Sequence, residues 1–178
     1  GSKKITFSVV RYGNVFASRG SVYHVFKKYD KKGFFPITDK NMTRFNITLT
    51  DGINLVFDSI KNSFGSEIII PKLKSFRIVD LAKSINEKNK IKLIGLRPGE
   101  KVHEQMISPS DSFSTLETKN FYTIIPKENI NTYKYYVKKY NAKPVKIGFE
   151  YSSDNNGKYL TRSEIKVIIN NEEKNKKR

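Results

Sequence analysis

The sequence predicts an α/β fold. Strand-like and helix-like runs alternate from residue 5 to residue 107, the pattern of strands covered by helices. The strand-like runs at 5–10 and 67–71 are short and rich in Ile and Val, with little polar alternation, as in buried strands of a parallel sheet, and 91–96 is a third apolar run. The helix-like runs at 21–29, 51–62 and 78–85 repeat apolar residues every three or four positions. Beyond residue 107 the pattern loosens, and the remainder reads as a wrapping extension.

In chain order, Gly1-Ser2 has the look of a tag remnant, so residues 1–4 are set aside as a linker. Residues 5–10 form a first strand, expected to be buried on both faces. Arg11-Tyr12-Gly13-Asn14-Val15 follows; Gly13 permits close backbone approach, and the Asn14 amide can bind a ligand or close an Asx turn. Ser18 or Ser21 is placed to cap the helix 21–29, which carries Val22, Val25 and Phe26 on one face. An extended piece at 35–38 and the turn 39–41 lead to a strand at 42–49. Thr50 then caps the helix 51–62, with Ile53, Val56, Phe57 and Ile60 as its apolar face. A buried strand at 67–71 stops at Pro71; helix 78–85 and strand 91–96 follow.

Arg97-Pro98-Gly99-Glu100-Lys101 stands between that strand and a helix-like run at 102–107. Pro98 suits a first helical turn, and Glu100 would meet the positive end of the helix dipole. Arg97 at such a mouth can grip a phosphate with two parallel hydrogen bonds, while the carboxylate three residues on can accept from a sugar hydroxyl. The alternative is a surface ion pair capping a helix. His103, on the same helix, lines a pocket or serves as a satisfied structural histidine. Later elements are a loop at 108–111, a strand at 121–126, a short Tyr- and Lys-rich helix at 133–140 and a turn-rich stretch at 149–157. Thr161-Arg162-Ser163-Glu164 has capping-box spacing and opens a last helix carrying Ile165, Ile168 and Ile169. The expected divisions are 5–107, an extension at 108–170 and a basic tail at 171–178.

Composition narrows the classes. With 37% hydrophobic and 12% aromatic residues in 178, the chain can build a core. There is no run of eighteen apolar residues, hence no membrane span expected. The absence of Cys removes disulfides, thiolate metal sites and a Cys nucleophile, and fits a reducing cytoplasm. The net charge of +17 keeps a nucleic-acid-binding or protein-interaction module without catalysis as the rival reading. The basic residues, however, are scattered and mostly Lys, with one dense block at the end of the chain. No glycine-rich dinucleotide turn, P-loop, zinc spacing or nucleophile elbow occurs. Tyr135 and Lys139 have Tyr-x-x-x-Lys spacing inside a segment where it arises by composition. No catalytic residue and no metal ligand is assigned.

An ordered set of motifs then resembles one family. Arg-Tyr-Gly-Asn-Val at 11–15, Ser-Arg-Gly-Ser-Val at 18–22, Ile-Thr-Asp at 37–39 and Met-Thr-Arg-Phe at 42–45 begin it. Glu-Ile-Ile-Ile-Pro-Lys at 67–72, Asp-Leu-Ala-Lys at 80–83 and Arg-Pro-Gly-Glu-Lys-Val-His-Glu at 97–104 continue it. Thr-Leu-Glu at 115–117 and Phe-Glu-Tyr-Ser-Ser at 149–153 close it. The set resembles the C-terminal, substrate-binding half of the inverting UDP-N-acetylglucosamine 4,6-dehydratases. These are extended short-chain dehydrogenase/reductases with a Rossmann-type fold that serve surface-polysaccharide and pseudaminic acid biosynthesis.

The resemblance implies a cytoplasmic lyase, homo-oligomeric as a full-length parent, that uses NADP to remove water from a UDP-sugar. It implies that Asn14, Thr38, Arg44, Arg97 and Glu100 bind substrate: Arg97 at the diphosphate, Glu100 at the uridine ribose and Arg44 bracing the uridine side. Val15, Phe16, Ala17, Ser18, Arg19 and Val22 would border the nicotinamide end of NADP. The family's cofactor turn and acid/base groups would all lie upstream of Ile5, so this chain is expected to be inactive alone. Two positions depart from the family: His24 stands where proline is usual, and Asn46 where tryptophan is usual.

Overall fold

The computed structural model describes residues 5–175; the expected linker at 1–4 and the last three residues of the basic tail lie outside it. In chain order it comprises β1 (Val9–Val10), α1 (Val22–Asp30), β2 (Phe34–Ile37), β3 (Thr43–Phe45), α2 (Leu49–Asn62), β4 (Ile68–Pro71) and β5 (Ser75–Arg77). Next come α3 (Ile78–Ile85), β6 (Lys90–Leu93), β7 (Gln105–Ile107), a 3-10 turn at Asp111–Ser114, β8 (Thr115–Glu117) and β9 (Phe121–Ile124). Last are α4 (Ile130–Tyr140), β10 (Lys143–Pro144), β11 (Tyr151–Ser152) and α5 (Arg162–Asn175). The α/β class holds, and α3 spans the residues its periodicity marked.

The chain forms two compact units that interleave in sequence. The first takes the chain up to Tyr12, Thr50–Lys72 and Gln105–Ser152; the second takes Gly13–Leu49, Leu73–Glu104 and the chain from Ser153.

The first unit is built on a five-stranded sheet ordered β1-β4-β9-β8-β10. Its β1–β4 pairing is parallel, with Val9 opposite Ile68, while β9 runs antiparallel to both β4 and β8. Leu116, Ile125, Tyr136 and Ala142 form its apolar centre. Glu67 is 1% exposed, yet well satisfied: it accepts from the amides of Phe64 and Gly65 and from the Ser8 hydroxyl. That fits the rule that a carboxylate out of water must be fully hydrogen-bonded. Gly65 has φ +121°, and a Cβ there would lie 2.8 Å from Thr6 Cγ2, so the turn before β4 demands glycine.

The second unit pairs β2 with β6 in parallel and β3 with β5 antiparallel. Against them lie α1, α3 and α5 around Phe26, Phe35, Ile37, Leu81 and Ile165, all within 1% of complete burial. The Phe26 and Phe35 rings sit 5.2 Å apart, a tilted pair of the kind that adds to area burial. The capping box forms as spaced: Glu164 Oε2 accepts from the Thr161 amide at 2.8 Å, and the Glu164 amide donates to Thr161 Oγ1 at 3.3 Å. α5 then runs to Asn175, so helix occupies part of what was expected to be tail.

Several expectations are corrected. Residues 5–8 lie outside the sheet, and Ile5, Phe7 and Val9 are exposed rather than buried on both faces. Strand 42–49 shortens to three residues, and α2 begins at Leu49, so Thr50 lies inside it instead of capping it. On α2 the buried residues are Gly52 and Ser59, while Ile53, Val56, Phe57 and Ile60 face outward. The helix expected at 102–107 does not form. Gly99 adopts φ +75°, which a right-handed helix cannot carry, and Gln105–Ile107 instead pairs with β11.

Candidate functional site

The second unit contains a cavity of about 260 Å³. Its wall is assembled from four stretches that the sequence had singled out separately. Asn14, Val15, Phe16 and Ala17 come from the segment leading to α1, and Gly20, Ser21 and Val22 from the start of that helix. Thr38 follows β2, Arg44 and Phe45 lie on β3, and Arg97 and Glu100 come from the turn after β6. Of the eleven expected site residues, the structure brings nine to this cavity; Ser18 and Arg19 do not line it.

The turn at 97–100 is held by its own polar groups. The Glu100 amide donates to the Arg97 carbonyl at 3.0 Å, and the Arg97 amide donates to Glu100 Oε2 at 3.1 Å. Glu100 Oε1 accepts from the Thr38 hydroxyl at 3.3 Å. No ion pair joins the Arg97 and Glu100 side chains among the described residues, so the helix-capping ion pair is not what this turn makes. The Arg97 guanidinium is exposed and without a protein partner among the described residues. A cation held at a cavity mouth with all its donors free suits an anion.

Arg44 is used differently. Its Nη1 donates to the Thr43 and Val102 carbonyls at 2.6 and 3.0 Å, and its Nη2 to the Lys101 carbonyl at 2.9 Å. Its Nε lies 3.7 Å from Glu104 Oε1, and Glu104 Oε2 accepts from the Phe45 amide at 3.1 Å. This side chain ties the segment following residue 100 to β3 and thereby sets where Arg97 and Glu100 stand. Burial pushes the Glu104 carboxyl above its ordinary value, against the lowering by the Phe45 amide and Arg44.

His103 stands away from the cavity lining. Its Nδ1 meets Thr43 Oγ1 at 2.8 Å, Thr43 Oγ1 meets Ser153 Oγ at 2.6 Å, and the Ser153 hydroxyl accepts from the Glu104 amide at 2.9 Å. It is the structural histidine of the two readings, not a pocket group.

Two features were missed from the sequence. Ser21, at the N-cap of α1, makes no side-chain cap bond, and its buried Oγ, which lines the cavity, has no partner among the described residues. His24, noted only as standing where proline is usual, points its Nε2 at the Ala17 carbonyl at 2.9 Å. The Ser18–Ser21 spacing hinted at a cap; nothing in the residue types signalled a ring bonded to a backbone carbonyl seven residues away.

Comparison with known proteins bears on this site. The family described as "Polysaccharide biosynthesis protein" matches residues 1–126. The inverting UDP-N-acetylglucosamine 4,6-dehydratase of Campylobacter jejuni subsp. jejuni serotype O:2 is 44% identical over 97% of this chain and 54% of its own length. A UDP-glucose 4-epimerase of Rickettsia bellii is 35% identical over 94% of this chain and 50% of its own. The X-ray structure of Pen from Bacillus thuringiensis superposes with a TM-score of 0.78 at 31% identity, over 94% of this chain and 51% of that one. The chain thus spans about half the length of the curated relatives it matches.

Proposed function

We propose that this chain, which belongs to the polysaccharide biosynthesis protein family, acts as the substrate-binding half of an NADP-dependent UDP-N-acetylglucosamine 4,6-dehydratase of the inverting type. The observation that carries this is the convergence of Asn14, Thr38, Arg44, Arg97 and Glu100 on one cavity, with the Arg97 guanidinium free. In this reading Arg97 grips the diphosphate through paired N–H groups. Glu100, already oriented by Thr38 and by the Arg97 amide, accepts from a ribose hydroxyl. Asn14 binds the sugar nucleotide, and Arg44 acts indirectly by bracing the turn. The similarity to the Campylobacter dehydratase supports the sugar nucleotide class.

Val15, Phe16, Ala17 and Val22 give the cavity an apolar flank suited to the face of a nicotinamide ring, and the unpartnered Ser21 hydroxyl is available to a polar edge of such a ring. When bound, NADP supplies the hydride chemistry that dehydration of this type requires. This chain contributes positioning, with the acid/base groups supplied from elsewhere. We assign the parent to the cytoplasm and to pseudaminic acid or related surface-glycan synthesis, as a homo-oligomer.

The test is direct. UDP or UDP-N-acetylglucosamine should raise the thermal midpoint of the chain, because a ligand that binds only the folded state stabilises it by mass action. No 4-keto-6-deoxy product should appear when the isolated chain is mixed with UDP-N-acetylglucosamine and NADP. Absence of any UDP response, together with steeply salt-dependent duplex binding, would favour the nucleic-acid reading instead.

A further inference from the structure

We propose that His24 is a positioning residue: its ring Nε2–H holds the Ala17 carbonyl and so fixes the turn that walls the ligand cavity. Ala17 is a non-glycine residue at φ +55°, in the left-handed region that L-residues rarely adopt, and it is 8% exposed. Such a conformation persists only where neighbours over-determine it. Ala17 packs in the core cluster with Phe16 and Tyr23, and the backbone bonds beside it are the Phe16 amide to the Ile47 carbonyl at 2.8 Å and the Ser18 amide to the Val15 carbonyl at 3.2 Å. Neither holds the Ala17 carbonyl, which the left-handed residue turns toward α1, where His24 meets it at 2.9 Å. A carbonyl can only accept, so the hydrogen resides on Nε2. The adjoining Tyr23 ring packs on both Phe16 and His24, at centroid distances of 5.5 and 5.3 Å, which limits how far the imidazole can swing.

That the turn matters for ligand rests on the reading of the cavity as a nucleotide-sugar site; that His24 holds the turn does not. The experiment separates the two. In the 15N-labelled chain, His24 should show the Nε2–H tautomer with a slowly exchanging ring proton. His24→Ala should speed exchange at the Ser18 amide at least tenfold and weaken UDP binding by roughly fivefold, the order of one net hydrogen bond. His24→Gln, whose amide nitrogen falls near the position of Nε2, should bring both back to within about twofold of the parent. Unchanged Ser18 exchange in His24→Ala, or failure of Gln to rescue it, overturns the proposal. If the parent chain binds no UDP, the functional reading falls, while Ser18 exchange still decides the role of His24.

Discussion

The Thr38 hydroxyl donates to Glu100 Oε1 at 3.3 Å, and Glu100 gives its other oxygen to the Arg97 amide at 3.1 Å. The carboxylate is therefore oriented before any ligand arrives, with lone pairs to spare, and the adjoining guanidinium has no competing partner among the described residues. A site of this kind loses little side-chain freedom at Glu100 on binding and keeps its cationic donors for the incoming anion.

Arg97→Ala should consequently weaken UDP affinity by about thirtyfold, the equivalent of ~2 kcal/mol for charge-assisted hydrogen bonds to a phosphate. Uridine affinity should change by less than about threefold. Isothermal titration with both ligands checks the difference, and equal losses would remove the diphosphate role.

Arg44→Met should lower the stability of the folded chain by about 2 kcal/mol. The change strands Glu104 and three carbonyls in a site where the two charged side chains are only 15% and 20% exposed. Urea denaturation measures the loss, and weaker UDP binding should accompany it because the brace on residues 101 and 102 is gone.

Two carboxyls should give opposite pH slopes. Glu104 is raised above 4.5 by burial, so its favourable contribution is complete below 4.5 and is lost as pH climbs through the raised folded value. Glu164 is drawn down to about 2, chiefly by the Lys74 ammonium at 2.7 Å and the Thr161 donors. Its contribution is present above 4.5 and disappears as pH falls toward 2. Carboxyl 13C titration should locate both inflections, and Lys74→Met should move that of Glu164 back toward 4.5.

Gly65→Ala should destabilise the chain by about 2 kcal/mol or more. The backbone there is at φ +121°, and the added methyl would meet Thr6 Cγ2 at 2.8 Å. A shift in the urea midpoint at unchanged slope is the expected result.

What the sequence disclosed and what it withheld divide along physical lines. α3 was readable to the residue because Ile78, Leu81 and Ala82 repeat at helical spacing and are all buried. The convergence of Asn14, Thr38, Arg44, Arg97 and Glu100 was foreseen through the motif resemblance, since periodicity alone says nothing about which distant turns meet. The helix expected after Pro98 failed because one left-handed glycine outweighs a favourable first turn. β5 and β8 escaped notice because three residues are too few to display a period. On α2 the pattern reported an amphipathic helix correctly but not which side is covered. His24 and Arg44 were obscured for a common reason: their partners are backbone carbonyls, and carbonyls have no letter in the sequence.

The outward stripe of α2, Leu49, Ile53, Phe57 and Ile60, is oily surface on a molecule carrying a net charge of +17. Mutual repulsion between copies is then what keeps such stripes from meeting, and it acts over the Debye length, ~10 Å at 0.1 M salt but only ~3 Å at 1 M. Concentrated salt, normally a remedy for sticky basic proteins, should here be the condition that makes the chain cloud.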